Sequence, residues 1–279
     1  FLKKKLVLYN ALNKVPECYY DLQKEPFSYH VISSVRAWEN SYKNTMKEFM
    51  EKSKKKLISS GFNPENITVK ISGRKKGVAR DIMSEARKGY DSLLIRRRGE
   101  SGFLSALVMG SVSTKLVEKC DYTPVMLAGI QKVNHSLFIA IDGSEGSKRA
   151  VEFVAETVEN SDCKIVLCSV LRDFDVPGGN NKMKPNGCIR ESLSQIESAM
   201  EDARLILQKK GIPGKNIGIK IIQGAESRAG SIIEAAKEEN SDTLVFGRKG
   251  KSAVTDFNLG RVPRKVIHGS RKMSVWIIP

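Results

Sequence analysis

The sequence predicts an α/β protein built from two tandem, doubly wound parallel five-stranded sheets. Short apolar runs alternate with amphipathic segments of helical period, and the runs are nearly unbroken, as strands covered on both faces require. The connections are short, which favours right-handed crossovers within one sheet. The order of elements in the second half also repeats that of the first.

The second half is read most easily. "HSLFIAID" is a strand, "SKRAVEFVAETV" an amphipathic helix and "CKIVLCSVL" a continuous apolar strand. After the loop "VPGGNNKMKPNG" comes a long helix, "ESLSQIESAMEDARLILQKKG", closed by Gly211. Strand "IGIKIIQG", helix "SRAGSIIEAAKEEN" and strand "TLVFG" follow, then a glycine-bearing segment with its helix and the last strand, "SVWIIP".

The first half repeats the series. "KLVLYNAL" matches "KIVLCSVL", and the helix through "SYKNTMKEFMEKSKKKLISSGF" matches the one ending in "LILQKKGI". "NPENITVKISG" matches "PGKNIGIKIIQG", and "GSVSTKLVEKCDYTPVMLAG" matches "GRVPRKVIHGSRKMSVWIIP". The predicted domains are residues 1–131 and 132–279. The first copy opens at the counterpart of the second strand and has no equivalent of "HSLFIAIDGS". Strand one is central in a doubly wound sheet, so the expectation is that about 30 residues precede Phe1.

Composition narrows the class. Of 279 residues 41% are hydrophobic, enough for about two packed domains, and no run is long enough to span a bilayer. Cys18, Cys120, Cys163, Cys168 and Cys188 are odd in number and form no CxxC pair, which points to free thiols in a reducing cytoplasm. His30, His135 and His268 are widely separated and give no metal cluster. The net charge is +16, with 24 basic against 13 acidic residues up to Gln131 and 23 against 18 beyond it. Such an excess serves either a nucleic acid or anionic membrane, or simply a solvated basic surface. The runs "KSKKKL" and "GRKKG" lack interleaved aromatics, so the solvated surface is favoured.

The chemistry concentrates in "TLVFGRKGKSAVTDFNLGR". A glycine-rich turn from a parallel strand into a helix aims free amides at an anion, and glycine is needed where a side chain would block close approach. Gly247 stands at the strand end, Gly250 in the loop and Gly260 at the next helix, with Lys249 and Lys251 adding positive charge. Asp142, at the end of the central strand, either accepts hydrogen bonds from a ribose or ends the loop as a helix cap; Ser144 reads as the cap.

"IAIDGSEGSKRAVEFVAETV", the strand "IVLCSV" and the G-x2-G-x9-G segment together resemble the universal stress protein family. The resemblance covers essentially the whole chain as two copies. It implies sheets of strand order 3-2-1-4-5, an adenine nucleotide alpha hydrolase-like fold, and bound ATP or AMP, with Mg2+ as a companion of the phosphates. It further implies a regulatory or stress-response role and pairing of the two copies through their last strands as a pseudo-dimer, with further homodimerisation open. In the second copy it places Asp142 on the ribose, Val170 against the adenine, Gly247 and Gly250 along the loop, and the amides of Gly260, Arg261 and Val262 on the phosphates. In the first copy it points to Gly99, Gly110, Ser111 and Val112.

Each copy departs from the family pattern. Arg261 stands where the family has Ser or Thr, and its guanidinium either grips a phosphate or swings to solvent. In the first copy "GSVS" is intact, but Arg96 replaces the first glycine, and ten residues rather than nine separate Gly99 from Gly110. Arg96, Arg97 and Arg98 either pair with phosphates or fill the sugar's space. No nucleophile neighbours a histidine and no GxxxxGK[ST] segment occurs, so binding without designed turnover is expected. The competing expectation is a scaffold of the same fold that binds no nucleotide and docks other proteins or, less readily, nucleic acid.

Overall fold

The computed structural model describes residues 4–12, 29–96, 109–130, 134–171, 186–251 and 258–279. The chain divides into two compact units, Phe1–Glu85 and Ala86–Pro279.

The first unit holds strand β1 (Leu6–Leu12), the long helix α1 (Tyr29–Ser59), strand β2 (Ile67–Gly73) and helix α2 (Val78–Ala86). β1 and β2 pair in parallel as a two-stranded sheet, with Leu6 opposite Ile67, and α1 packs on both. Met50 and Ile67 anchor its core, at 5% and 3% exposure. The turn before α2 is held by Asp81, whose carboxylate accepts the amides of Lys75 at 2.8 Å and Lys76 at 3.0 Å.

The second unit contains β3 (Leu93–Arg96), α3 (Ser111–Lys119), β4 (Val125–Ala128), β5 (Ser136–Ala140), α4 (Glu145–Thr157), β6 (Lys164–Val170), α5 (Asn186–Lys209), β7 (Ile217–Ile222), α6 (Arg228–Glu238), β8 (Thr243–Gly247), α7 (Arg261–Gly269) and β9 (Ser274–Ile278). The strands form one seven-stranded sheet of order β3-β4-β9-β8-β5-β6-β7. From β7 to β9 it runs parallel, and numbering those five strands by chain order gives 3-2-1-4-5.

Alternation along each strand covers both faces of this sheet. Ile139, Ile165, Leu167 and Val245 join a buried cluster with Val151 and Val154 of α4 and Met200 and Leu207 of α5. The alternate residues Phe138, Val166 and Leu244 are buried as well, at 0%, 3% and 0% exposure, on the face where α6 packs on β6 and on α7. α5 ends where expected: Gly211 takes φ +81°, and its amide and that of Ile212 turn back to the carbonyls of Gln208 and Leu207. Asp242 ties the amino ends of the central strands, accepting the amide of Asn134 at 2.5 Å and the hydroxyl of Thr243 at 2.5 Å.

One feature differs from the sequence expectation. The helices begin earlier, α1 at Tyr29 and α5 at Asn186. The strands before Gln131, where the sequence expectation already lacked a first strand, lie in two sheets. β1 and β2 stand as a pair, while β3 and β4 join the larger sheet through an antiparallel contact of β4 with β9, Met126 opposite Trp276. β4 and β9 pair through apolar strands, and Leu127 and Ile277 are both fully buried there.

Candidate functional site

β5 ends at Ala140, and Asp142 follows two residues later with its side chain half-buried. Its Oδ1 accepts the amide of Ser144 at 3.0 Å and the Ser144 hydroxyl at 2.5 Å, and its Oδ2 accepts the amide of Lys251 at 3.1 Å. The cap of α4 is Ser144, whose Oγ accepts the Ser147 amide at 3.2 Å. Asp142 therefore does not cap the helix; it clasps the glycine loop. A carboxylate offers about four acceptor positions, so one on Oδ2 is left for a ligand.

The glycines explain how the loop lies. A Cβ on Gly247 would run into the backbone of Gly146 and the amide of Ser147, and a Cβ on Gly146 would strike the carbonyl of Lys249. The strand end and the first turn of α4 thus touch backbone to backbone. A Cβ on Gly250 would meet Asp142 Oδ2. Gly260 is the N-cap of α7 and donates its amide to the Arg248 carbonyl at 2.9 Å. α7 has no side-chain cap, so the amides of Arg261 and Val262 have no partner within their helix, and Pro263 has no amide proton to add.

A cavity of about 340 Å³ opens at the carboxyl ends of β5, β6 and β8. That size lies in the range of small-ligand sites. Of the residues expected in the second copy, Asp142, Val170, Gly247, Lys249 and Val262 line it. Gly250, Gly260 and Arg261 do not; the two glycines act through loop packing, and Arg261 is an exposed residue of the first turn of α7. Of the residues expected in a first copy, Gly110 is the N-cap of α3, Ser111 is its exposed first residue and Val112 its second, whereas Gly99 lies outside the described residues, as do Arg97 and Arg98. Arg96 ends β3 with its side chain exposed.

Several lining residues escaped the sequence reading. Arg228, the first residue of α6, reaches the cavity from across the sheet, and Ser169, 2% exposed, lies beside Val170. The helix-start signature "SRAGS" is the only signal that could have drawn attention to Arg228. Cys168 also faces the cavity, but burial pushes its thiol up to about 12, so it stays protonated and is a poor nucleophile. No histidine lines the cavity, and the described residues contain no cluster of three metal-binding side chains. Lys249, Lys251 and Arg228 against the single carboxylate of Asp142 make the site net positive.

The order of the sheet and the cavity at its strand ends define the class: a doubly wound α/β domain with an adenine nucleotide alpha hydrolase-like fold. The chain belongs to the universal stress protein family, whose model matches residues 134–279. A universal stress protein of Mycobacterium tuberculosis is 28% identical over 144 residues, which are 51% of this chain and 93% of that protein. The crystal structure of a universal stress protein from Archaeoglobus fulgidus superposes with a TM-score of 0.56 at 18% identity, covering 86% of this chain and 77% of the other. A putative universal stress protein from Pseudomonas aeruginosa gives 0.53 at 11% identity, covering 99% and 94%. Likenesses at such identities show the fold.

Proposed function

We propose that the strand-end cavity of residues 134–279 binds an adenine nucleotide, ATP or AMP, and that the protein acts by changing state on binding rather than by turning the nucleotide over. The observation that carries this reading is the convergence on one cavity of the Asp142 carboxylate, the Lys249 and Lys251 side chains and the uncapped start of α7. In this reading Asp142 offers its remaining acceptor to a ribose hydroxyl and Val170 packs against the base. The lysines and the α7 amides take the phosphates, with Mg2+ brought in on the nucleotide.

The same reading assigns residues 1–131 to a first, incomplete copy and 132–279 to a second. Matching segments such as "NPENITV" and "PGKNIGI" support it, as does the antiparallel contact of β4 with β9, which suits a pseudo-dimer within one chain. A cellular role in stress regulation, in a reducing cytoplasm, accords with the family and with Cys120, Cys163 and Cys168 being free. Among the described residues no helix is long and apolar enough to cross a membrane.

One observation favours the scaffold alternative: three of the Asp142 acceptor positions are already taken by the protein itself. The two readings separate on adding ATP or AMP to the purified protein and following its melting temperature. A ligand that binds only the folded state raises it, and a flat response at millimolar nucleotide selects the scaffold.

A further inference from the structure

Arg248 is a buried cation that the cavity does not use. It stands in the glycine loop between Gly247 and Lys249, is 3% exposed, and directs its side chain to carbonyls away from the cavity. Nη2 donates to the Cys120 carbonyl, and Nη1 donates to the carbonyls of Asn258 at 3.0 Å and Glu118 at 3.5 Å. Cys120 is the C-cap of α3 and Glu118 lies in its last turn, where helix carbonyls lack intrahelical partners and the dipole is negative. The backbone of Arg248 is used as well: its amide donates to Ile278 at 2.6 Å and its carbonyl accepts from Gly260. One residue thus joins the C-terminus of α3, the N-cap of α7 and the end of β9.

We propose that Arg248 is a positioning residue that couples occupancy of the strand-end cavity to the seating of α3, so that bound nucleotide and docked α3 stabilise each other. The proposal rests on the nucleotide reading above. Its physical basis is that a buried guanidinium is tolerable only while its acceptors are in place. Withdrawal of α3 removes the Cys120 and Glu118 acceptors, leaves the buried guanidinium with the Asn258 carbonyl alone, and favours movement of the loop carrying Lys249. A ligand that needs the ordered loop therefore favours the seated helix, and linkage makes the effect reciprocal.

The test is amide hydrogen exchange of the full chain with and without saturating ATP. In the wild type, ATP is expected to slow exchange in residues 113–122 as well as in the loop 247–251. In Arg248→Met, protection of 113–122 should disappear and ATP affinity should fall by roughly 5- to 150-fold, the usual span of a coupling between sites. Arg248→Lys, which keeps the charge without the fork, should restore part of both; it also serves where the methionine variant does not fold. Protection confined to the cavity in the wild type, or unchanged affinity in the variants, overturns the coupling. If ATP protects nothing in the wild type, the nucleotide reading fails, and ligand-free exchange then decides. Faster exchange in both 113–122 and 247–251 of the variants retains the link, and faster exchange in one alone sinks it.

Discussion

Gly146 and Gly247 lie backbone against backbone, so the strand that ends in the glycine loop and the helix that follows the central strand approach as closely as two chains can. The contact sets the height of the loop over the sheet. The first glycine of G-x2-G-x9-G is therefore required by packing, besides lining the cavity.

Gly247→Ala should destabilise the second unit by about 1 to 3 kcal/mol, the usual effect of overpacking. The opposing atoms are backbone and cannot rotate away. Gly260→Ala is the control, since its Cβ would meet the Arg248 carbonyl at 3.2 Å, a contact relieved by small shifts. Denaturant unfolding of both variants checks this; equal losses would show that the Gly146 contact does not set the cost.

Gly250→Ala should lower ligand affinity more than stability, because the new methyl displaces Asp142 Oδ2, the oxygen that keeps a spare acceptor. Asp142→Ala removes three accepted hydrogen bonds at once and should lower both. Calorimetric titration with ATP alongside thermal melts distinguishes the two patterns.

Lys249→Ala should weaken ATP binding about tenfold, as expected for loss of a charged hydrogen bond. Arg261→Ala should change it less than about threefold, because that side chain is exposed on α7 and does not line the cavity. The reverse order of effects would mean that Arg261 swings in to grip a phosphate.

Asp81 gives a pH prediction for the first unit. Burial acts to raise its carboxyl, but the amides of Lys76, Lys75 and Gly77 outweigh burial and hold it below its ordinary value of 3.8. A carboxylate depressed in the folded state stabilises fully above its unfolded pKa, and the contribution is lost as pH falls through the folded value. Amide exchange at Lys75 and Lys76 should therefore be slower in the wild type than in Asp81→Asn at neutral pH. The difference should shrink once pH drops below 3.8. A gap unchanged at lower pH would mean that charge plays no part.

Leu127→Asp should detach β3 and β4 from the larger sheet while leaving the order β7-β6-β5-β8-β9 intact. Leu127 is fully buried where β4 meets β9, and an unpaired carboxylate there is strongly unfavourable. Exchange that rises in residues 123–128 but not in 137–140 would match; a uniform rise would show that the pairing holds up the whole unit.

Much of the fold of residues 134–279 was legible in the sequence. Unbroken apolar runs such as "KIVLCSVL" mark strands buried on both faces, and Gly211 marks a helix end, because both follow from local periodicity and backbone conformation. Ser144 as a cap was readable for the same reason. The site was half legible: Asp142, Val170, Lys249 and Val262 do meet at one cavity. Arg228 was not, since nothing local shows that the start of α6 opens on the same space as β5 and β6.

What the sequence determined by itself is the repeating strand–helix order, the family to which it belongs and the glycine spacing that ends β8, all written in short-range patterns. Only the tertiary structure decided what those glycines touch, that Asp142 is clasped to Lys251, and that Arg248 turns to α3 rather than to the cavity. It also decided that β4 seats on β9. Apart from Gly260, which meets nearby Arg248 and Pro263, each of these joins residues about 100 or more positions apart, and packing between such distant partners leaves no periodic trace in either.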